Sequence, residues 1–339
     1  MTRVRHSDTR LIWMDLLKFI AIFFVCMGHC IQHFLPGIPS ENVVFRFIYS
    51  FHMPLFMAIT GYFVYKRGPQ PFWMSIKKKF RQLILPGISF ATVMFLVFSD
   101  QRFSPVSWLL YLKNSFWFLQ SAFICCILYF AAICFKSDKY KGGVIVALIF
   151  SQIIVYDNVF RMYPAFITGV LVHKYFNFIK RYCKPISIAL VFLYAIMFSF
   201  LSADFYGLQN FSSISAILTT GFHLIYRITI GSVATLSLIC LAYYYRNQIR
   251  NSRLMALMAK GGKYTLGIYI LQCYILEGFL RASLNLSDLS SWLFYLVVAP
   301  SISLAVIIVS IMIIRLIEKS SITSYFFLGK IKQVGQSFF

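Results

Sequence analysis

Long apolar runs, each closed by a short cluster of basic or turn-forming residues, recur from one end of the chain to the other. Roughly 20 apolar residues suffice to carry a helix across the hydrocarbon core of a bilayer. The runs predict ten membrane-spanning helices, at 11–33, 42–65, 79–98, 116–135, 142–157, 160–176, 185–203, 222–245, 263–283 and 292–316. The fifth and sixth are short and are joined by the polar turn Tyr156-Asp157-Asn158, so they also read as one bent re-entrant unit. The expected fold is all-α, a polytopic integral membrane protein in which residues 1–339 form one membrane domain. The longest stretches between spans, about 204–221 and 246–262, are too short for an independent core.

Composition agrees with the pattern. Apolar residues make up 60% of the chain and charged residues 12%, with 37 Phe and 21 Tyr. A soluble fold of this size has too little interior for so much hydrocarbon, so lipid must cover much of it. A soluble globule, a disordered chain and a collagenous rod are excluded. The first apolar run contains Asp15 and Lys18 and is too long for a cleaved signal peptide.

The net charge of +22 would suggest nucleic acid on a soluble chain, but the basic residues lie in short loops with no stacking motif among them. Nucleic acid is not an expected partner. Counting Lys and Arg on alternate loops gives 25 on the side that holds both termini and 5 on the other, which also carries Glu41, Asp100, Asp157, Asp204 and Asp288. The positive-inside rule therefore places both termini in the cytoplasm. Of the eight cysteines, seven lie in apolar runs and Cys183 in a basic loop, without a CxxC pattern, so they read as small packing residues. No metal is expected.

Ionisable groups inside a span cost a few kcal/mol to insert, about 2.5–3.5 on translocon scales, and so mark functional candidates. The first span carries Asp15, Lys18 and His29, the second His52 beside Pro54, the eighth Arg227, and the ninth Gln272 and Glu277. Lys18 and His29 are eleven residues apart. At about 100° per residue they face the same way, and at about 1.5 Å per residue they are separated by roughly 16 Å along the axis. The bland alternatives are that Lys18 pairs with Asp15 at the interface, that His52 hydrogen-bonds within a proline kink, and that Arg227 and Glu277 form a structural ion pair. Serine-elbow, dinucleotide, P-loop and HExxH motifs are absent from the sequence, which leaves a histidine general base as the chemistry on offer.

The chain resembles the acyltransferase-3 family, integral-membrane acyltransferases that O-acetylate sugars. Members carry a basic residue, ten residues and then histidine in the first span, as Lys18 and His29 stand here, followed by a segment like FHMPLFMAITGYF. FRQLILP at 80–86, SFWFLQSAF at 115–123, YPAFITGVLVHK at 163–174 and GKYTLGIYILQ at 262–272 resemble later family segments, so the similarity runs over nearly the whole chain. Two positions depart from the pattern. The basic residue is commonly arginine, and many relatives have histidine where Gln272 stands, so no proton-transfer role passes to that position.

The resemblance implies a membrane O-acyltransferase that uses cytoplasmic acetyl-CoA as co-substrate and a hydroxyl of a cell-envelope polysaccharide or lipid-linked glycan as acceptor. The expected location is the bacterial plasma (inner) membrane, with lipid and envelope glycan-assembly proteins as partners. His29 is the expected general base, with Glu277 orienting it and Arg227 or His52 meeting the oxyanion. Cys26 and Cys30 are the rival nucleophiles. Lys18, with Arg81 in the basic 66–81 loop, would hold the donor's phosphates. A secondary transporter or flippase for an anionic glycan precursor is the alternative, weakened by the lack of an inverted repeat. A membrane-bound O-acyltransferase of the unrelated histidine-dependent type is a third. Topology is directly testable. A reporter active only outside the cytoplasm should be silent after Gln70 or Arg250 and active after Ser104 or Ser287, and the opposite pattern would overturn the orientation.

Overall fold

The computed structural model describes residues 11–66, 71–98, 104–134, 158–207, 212–284, 286 and 289–331. Among these the chain is helical, with no strand. In chain order the helices are α1 (Ile12–Phe34), α2 (Val43–Lys66), α3 (Phe72–Phe98), α4 (Pro105–Asn114), α5 (Trp117–Cys134), α6 (Asn158–Lys174) and α7 (Phe176–Ser199). They continue with α8 (Ile214–Tyr244), the short α9 (Arg246–Asn251) and α10 (Arg253–Gly261), then α11 (Thr265–Leu280), α12 (Ser291–Ile317) and α13 (Ser321–Leu328). Each expected span within the described residues falls on one of these helices. The expected fifth span, 142–157, lies outside the described residues.

Among the described residues, six helices are long and apolar enough to cross a bilayer, and seven if the bent pair α4–α5 counts as one. At 17 residues α6 falls short of that measure, and α11 is likewise a shorter apolar helix. Three starts lie well before the expected ones, among them that of α8, which begins at Ile214 and not at 222. Pro185 was the natural start of a span at 185, yet α7 begins at Phe176 and absorbs the proline, with a break at Tyr182 (φ −113°, ψ 16°) taking up the clash with the preceding turn. Likewise α3 starts at Phe72, because Lys77, Lys78 and Lys79 end an amphipathic entry turn instead of lying in a loop.

Side-chain caps set several starts. The Asn42 carboxamide oxygen accepts from Phe45 N at 3.0 Å at the head of α2, and Ser213 Oγ accepts from Ala216 N at 3.1 Å at the head of α8. Small residues set the packing. A Cβ at Gly61 would stand 2.0 Å from Phe166 O, and one at Gly169 1.8 Å from Ala58 O, so α2 and α6 touch backbone to backbone. A Cβ at Gly231 would meet Pro54 Cγ at 2.9 Å, which seats α8 against Pro54 of α2.

The helices bury themselves unequally. In its most apolar window α1 is 72% buried, whereas α7 is 11% buried. With its ionisable side chains, α1 is therefore the centre of the bundle, and the exposed flank of α7 is left for lipid. Lining up Trp13 edge-on to Tyr62 and Tyr243, at 6.4 and 5.6 Å, ties α1 to α2 and α8. Because the α2–α6 crossing has no room for a methyl group, Gly169→Ala should lower the melting temperature in detergent, with a loss of roughly 1–3 kcal/mol or more. Gly221→Ala, whose Cβ meets nothing within 4 Å, should be neutral or gain up to about 1 kcal/mol from helix propensity. Equal melting of Gly169→Ala and wild type would contradict the close crossing.

Candidate active site

A cavity of 790 Å³ opens at the end of the bundle opposite the N-terminal end of α1. His29, His52, Arg227 and Glu277, which the sequence places in four different spans, all line it. They converge because the far half of α1, the near half of α2, the middle of α8 and the far half of α11 meet at that end.

The central contact joins α1 to α11. His29 Nδ1 lies 3.5 Å from Glu277 Oε1. Nδ1 is buried, and the residue lines the cavity. Catalytic hydrogen bonds are often this long before substrate arrives. The Glu277 carboxylate thus stands where an orienting acid would hold the imidazole with its proton on Nδ1. A second histidine, His33, reaches the same oxygen with Nε2 at 3.4 Å.

His52 is 4% exposed and its Nδ1 lies 2.6 Å from Ile48 O, one turn back along α2. A carbonyl only accepts, so Nδ1 carries the proton and Nε2 of the neutral ring is an acceptor. His52 is thus hydrogen-bonded two residues before Pro54, with the ring still at the cavity wall. Arg227 lies with its guanidinium 4.4 Å over the Tyr206 ring and Nη1 3.4 Å from Phe205 O. Glu277 meets the two histidines.

Further polar residues line the cavity that the spans alone do not single out, among them Tyr49, Asn158, Arg161 and Tyr206. Arg161 donates to the Asn158 carboxamide oxygen, and the Tyr206 hydroxyl donates to Arg46 O at 3.3 Å. Burial pushes the Tyr206 hydroxyl up to about 12 although Arg227, Arg46 and Arg161 draw it down, so it stays a donor at neutral pH. Arg161 and Arg46 sat in the loop count and Tyr206 in a loop. Only folding turns them inward.

The floor is made by the break between α4 and α5, bent by 74°. Phe116 adopts φ 49°, a left-handed conformation that costs a non-glycine residue about 1–2 kcal/mol. Gln120 holds the break. Its carboxamide nitrogen donates to the carbonyls of Leu112, Lys113 and Ser115 at 3.0, 3.1 and 2.7 Å, satisfying the orphan acceptors at the end of α4.

Residues 11–315 match a family profile described as an acyltransferase domain. The chain belongs to the acyltransferase-3 family. Nodulation protein NolL of Mesorhizobium japonicum is 33% identical over 135 positions, a match covering 36% of this chain and 36% of that protein. The matched region is thus little more than a third of that relative's length. No solved structure matches. Apolar helices of spanning length and the family together make the protein an integral membrane member of this family.

Within this acyltransferase-3 domain the two expected donor residues stand apart from the large cavity. Lys18 lines a second hollow of 140 Å³ in the other half of the bundle, with Nζ 3.2 Å from Asp15 Oδ1 and 4.7 Å from the centre of the Phe63 ring. Tyr269 lines both hollows. Arg81 lines neither and sits where α3 meets the end of α13, its carbonyl 2.2 Å from where a Gly329 Cβ would be. Cys26 and Cys30 are fully buried outside the cavity wall, and Cys30 Sγ faces Ser303 Oγ at 3.9 Å. The thiol that does line the cavity is Cys273, one turn before Glu277. Gln272 is fully buried outside that wall and donates to Cys273 Sγ at 3.0 Å.

The Gln120 clamp can be tested by melting temperature. Each lost hydrogen bond is worth about 0.5–1.5 kcal/mol, so Gln120→Leu should cost roughly 1–3 kcal/mol. Gln120→Glu should cost more, because a carboxylate would face three carbonyl oxygens. A Gln120→Glu protein as stable as wild type would remove the clamp from the account.

Proposed function

We propose that the protein transfers an acetyl group from cytoplasmic acetyl-CoA to a hydroxyl of a cell-envelope polysaccharide or a lipid-linked glycan precursor. The membrane is the bacterial inner membrane, with both termini on the cytoplasmic side. The reading is supported above all by Glu277 Oε1 facing His29 Nδ1 at 3.5 Å across two helices, at the wall of a cavity large enough for a sugar.

In this reading His29 acts as a neutral base. Glu277 holds the proton on Nδ1, and Nε2 takes the proton of the acceptor hydroxyl as its oxygen attacks the thioester carbonyl. That step contributes about 10²- to 10⁴-fold. The tetrahedral oxyanion then collapses, the C–S bond breaks, and the imidazolium returns the proton to the leaving thiolate. Arg227 is the oxyanion partner, since it donates in every protonation state, while His52 would need a second proton to donate into the cavity.

The donor enters from the Lys18 side. An ammonium has three donors and Asp15 engages one, so a CoA phosphate can take the others. Arg81 and the neighbouring basic loop add diffuse attraction at that face. The pantetheine arm follows the α1 face past Tyr269 towards His29, a path comparable to the roughly 16 Å between Lys18 and His29 along the helix.

The experiment is transfer from labelled acetyl-CoA to an envelope glycan fraction by purified protein, with membrane insertion checked for every variant. His29→Ala should lose about 10²-fold or more of the rate. Cys273→Ala, and the double change Cys26→Ala with Cys30→Ala, should keep near-normal rates. A correctly inserted His29→Ala protein that still transfers would overturn the mechanism, and loss of transfer in Cys273→Ala would replace it with an acyl-cysteine route. A transporter would give no His29-dependent turnover at all.

A further inference from the structure

His33 has no part in the chemistry above. It lies one turn beyond His29 on α1, outside the cavity wall, with its side chain 10% exposed. The two rings stack with centroids 5.8 Å apart and an interplanar angle of 18°. His29 Nδ1 and His33 Nε2 are both buried, and among the described residues neither has a hydrogen bond of ordinary geometry. Both point at one atom, Glu277 Oε1, at 3.5 and 3.4 Å.

We propose that His29, His33 and Glu277 form a binding site for a divalent transition-metal ion of the zinc class, and that filling it switches transfer off. The distances fit such an ion. Zinc binds imidazole nitrogen and carboxylate oxygen at about 2.0–2.2 Å in tetrahedral array, which sets neighbouring ligand atoms about 3.3–3.5 Å apart. Two edges of the donor triangle already have that length. All three donor atoms lie within 4.8 Å of one another, so only the edge between the two imidazoles needs to close. Two histidines at i and i+4 share one helix face, the spacing that lets a single helix supply two ligands.

The donor set also selects the ion. Imidazole suits zinc, copper, nickel and cobalt, whereas magnesium and calcium take oxygen ligands. Three protein ligands leave a fourth position open. His29 and Glu277 line the cavity, so that position faces the space from which an ion would arrive.

Inhibition follows from the ring's single proton. In the proposed reaction neutral His29 keeps its proton on Nδ1 and its lone pair on Nε2. A metal takes the Nδ1 lone pair, which moves the proton to Nε2 and leaves no lone pair towards the acceptor. The ion also claims the Glu277 carboxylate that held the productive tautomer. The switch rests on the reading of His29 as base; the metal site itself does not.

The two are separated by measuring binding without turnover. Full-length protein in detergent, stripped with a chelator, is titrated with Zn²⁺ by calorimetry and with Co²⁺ by visible absorption. Wild type should bind one ion per chain, show the intense d–d bands of tetrahedral Co²⁺, and melt at a higher temperature with Zn²⁺. His33→Gln should weaken Zn²⁺ binding by more than the roughly 10- to 100-fold that loss of an outer-shell partner costs. Its metal-free transfer should stay near wild type, and its resistance to Zn²⁺ inhibition should rise by the same factor. His33→Ala serves if the glutamine variant does not fold. Wild type without calorimetric binding, or His33 variants with unchanged affinity, would overturn the site. Tight binding that leaves transfer untouched would overturn the switch. Failure of the base reading would show separately, as metal-free transfer that survives His29→Ala.

Discussion

Ionisable side chains inside a bilayer must be solvated by protein, and α1 carries Asp15, Lys18, His29 and His33 along one helix. That single demand organises the bundle. Nothing in lipid could satisfy those groups, so the other helices close around α1 while α7 keeps the hydrocarbon side. Closing requires small residues where backbones meet. A Cβ at Gly262 would stand 2.0 Å from Asp15 O and one at Gly261 2.7 Å from the Phe19 ring, so the turn between α10 and α11 presses against the first third of α1. At the other end the enclosure is left incomplete, and the gap is the cavity in which His29 and Glu277 meet.

Much of this arrangement is legible in the sequence, for a physical reason. Span-length hydrophobicity and the cost of intramembrane charge are local properties, so they marked the helices and singled out His29, His52, Arg227 and Glu277, all of which line one cavity. Depth was legible too. Glu277 was matched to His29 because both lie towards the far ends of their spans, and the structure sets them 3.5 Å apart. Rotation about each helix axis was not legible. The sequence offers no reason why Cys273 faces the cavity and neighbouring Gln272 turns away, or why Cys26 and Cys30 face the bundle interior instead of the site. His33 carried a signal that went unused, since four residues separate it from His29 and one helix turn brings the two together. Residues between spans were hardest. Tyr206 and the Phe116 bend enter the site only through tertiary contacts, and Arg81, placed with Lys18 by its loop, is carried instead to the end of α13.

The α4–α5 break shows how such contacts are held. A bend of 74° leaves the carbonyls at the end of α4 without helical partners, and a left-handed Phe116 adds strain. One glutamine side chain answers three of those carbonyls, which keeps Ser115, Phe116 and Trp117 at the cavity floor. Rigidity at the floor and enclosure of α1 serve the same end, fixed placement of the groups around His29.

Tyr269 stands between the two hollows, with Phe118 and Phe116 edge-on at 5.6 and 6.3 Å. This aromatic layer is thin beside the roughly 30 Å of hydrocarbon around it. Where water fills the hollows on either side, the membrane voltage drops mainly across that layer, at about 2.3 kcal/mol per elementary charge for each 100 mV. In the proposed reaction the charged end of the donor stays at the Lys18 side. Only the neutral thioester arm crosses outward, and only the neutral thiol returns. Acetyl moves one way and hydrogen the other, so turnover carries no net charge through the field and proceeds independently of membrane potential.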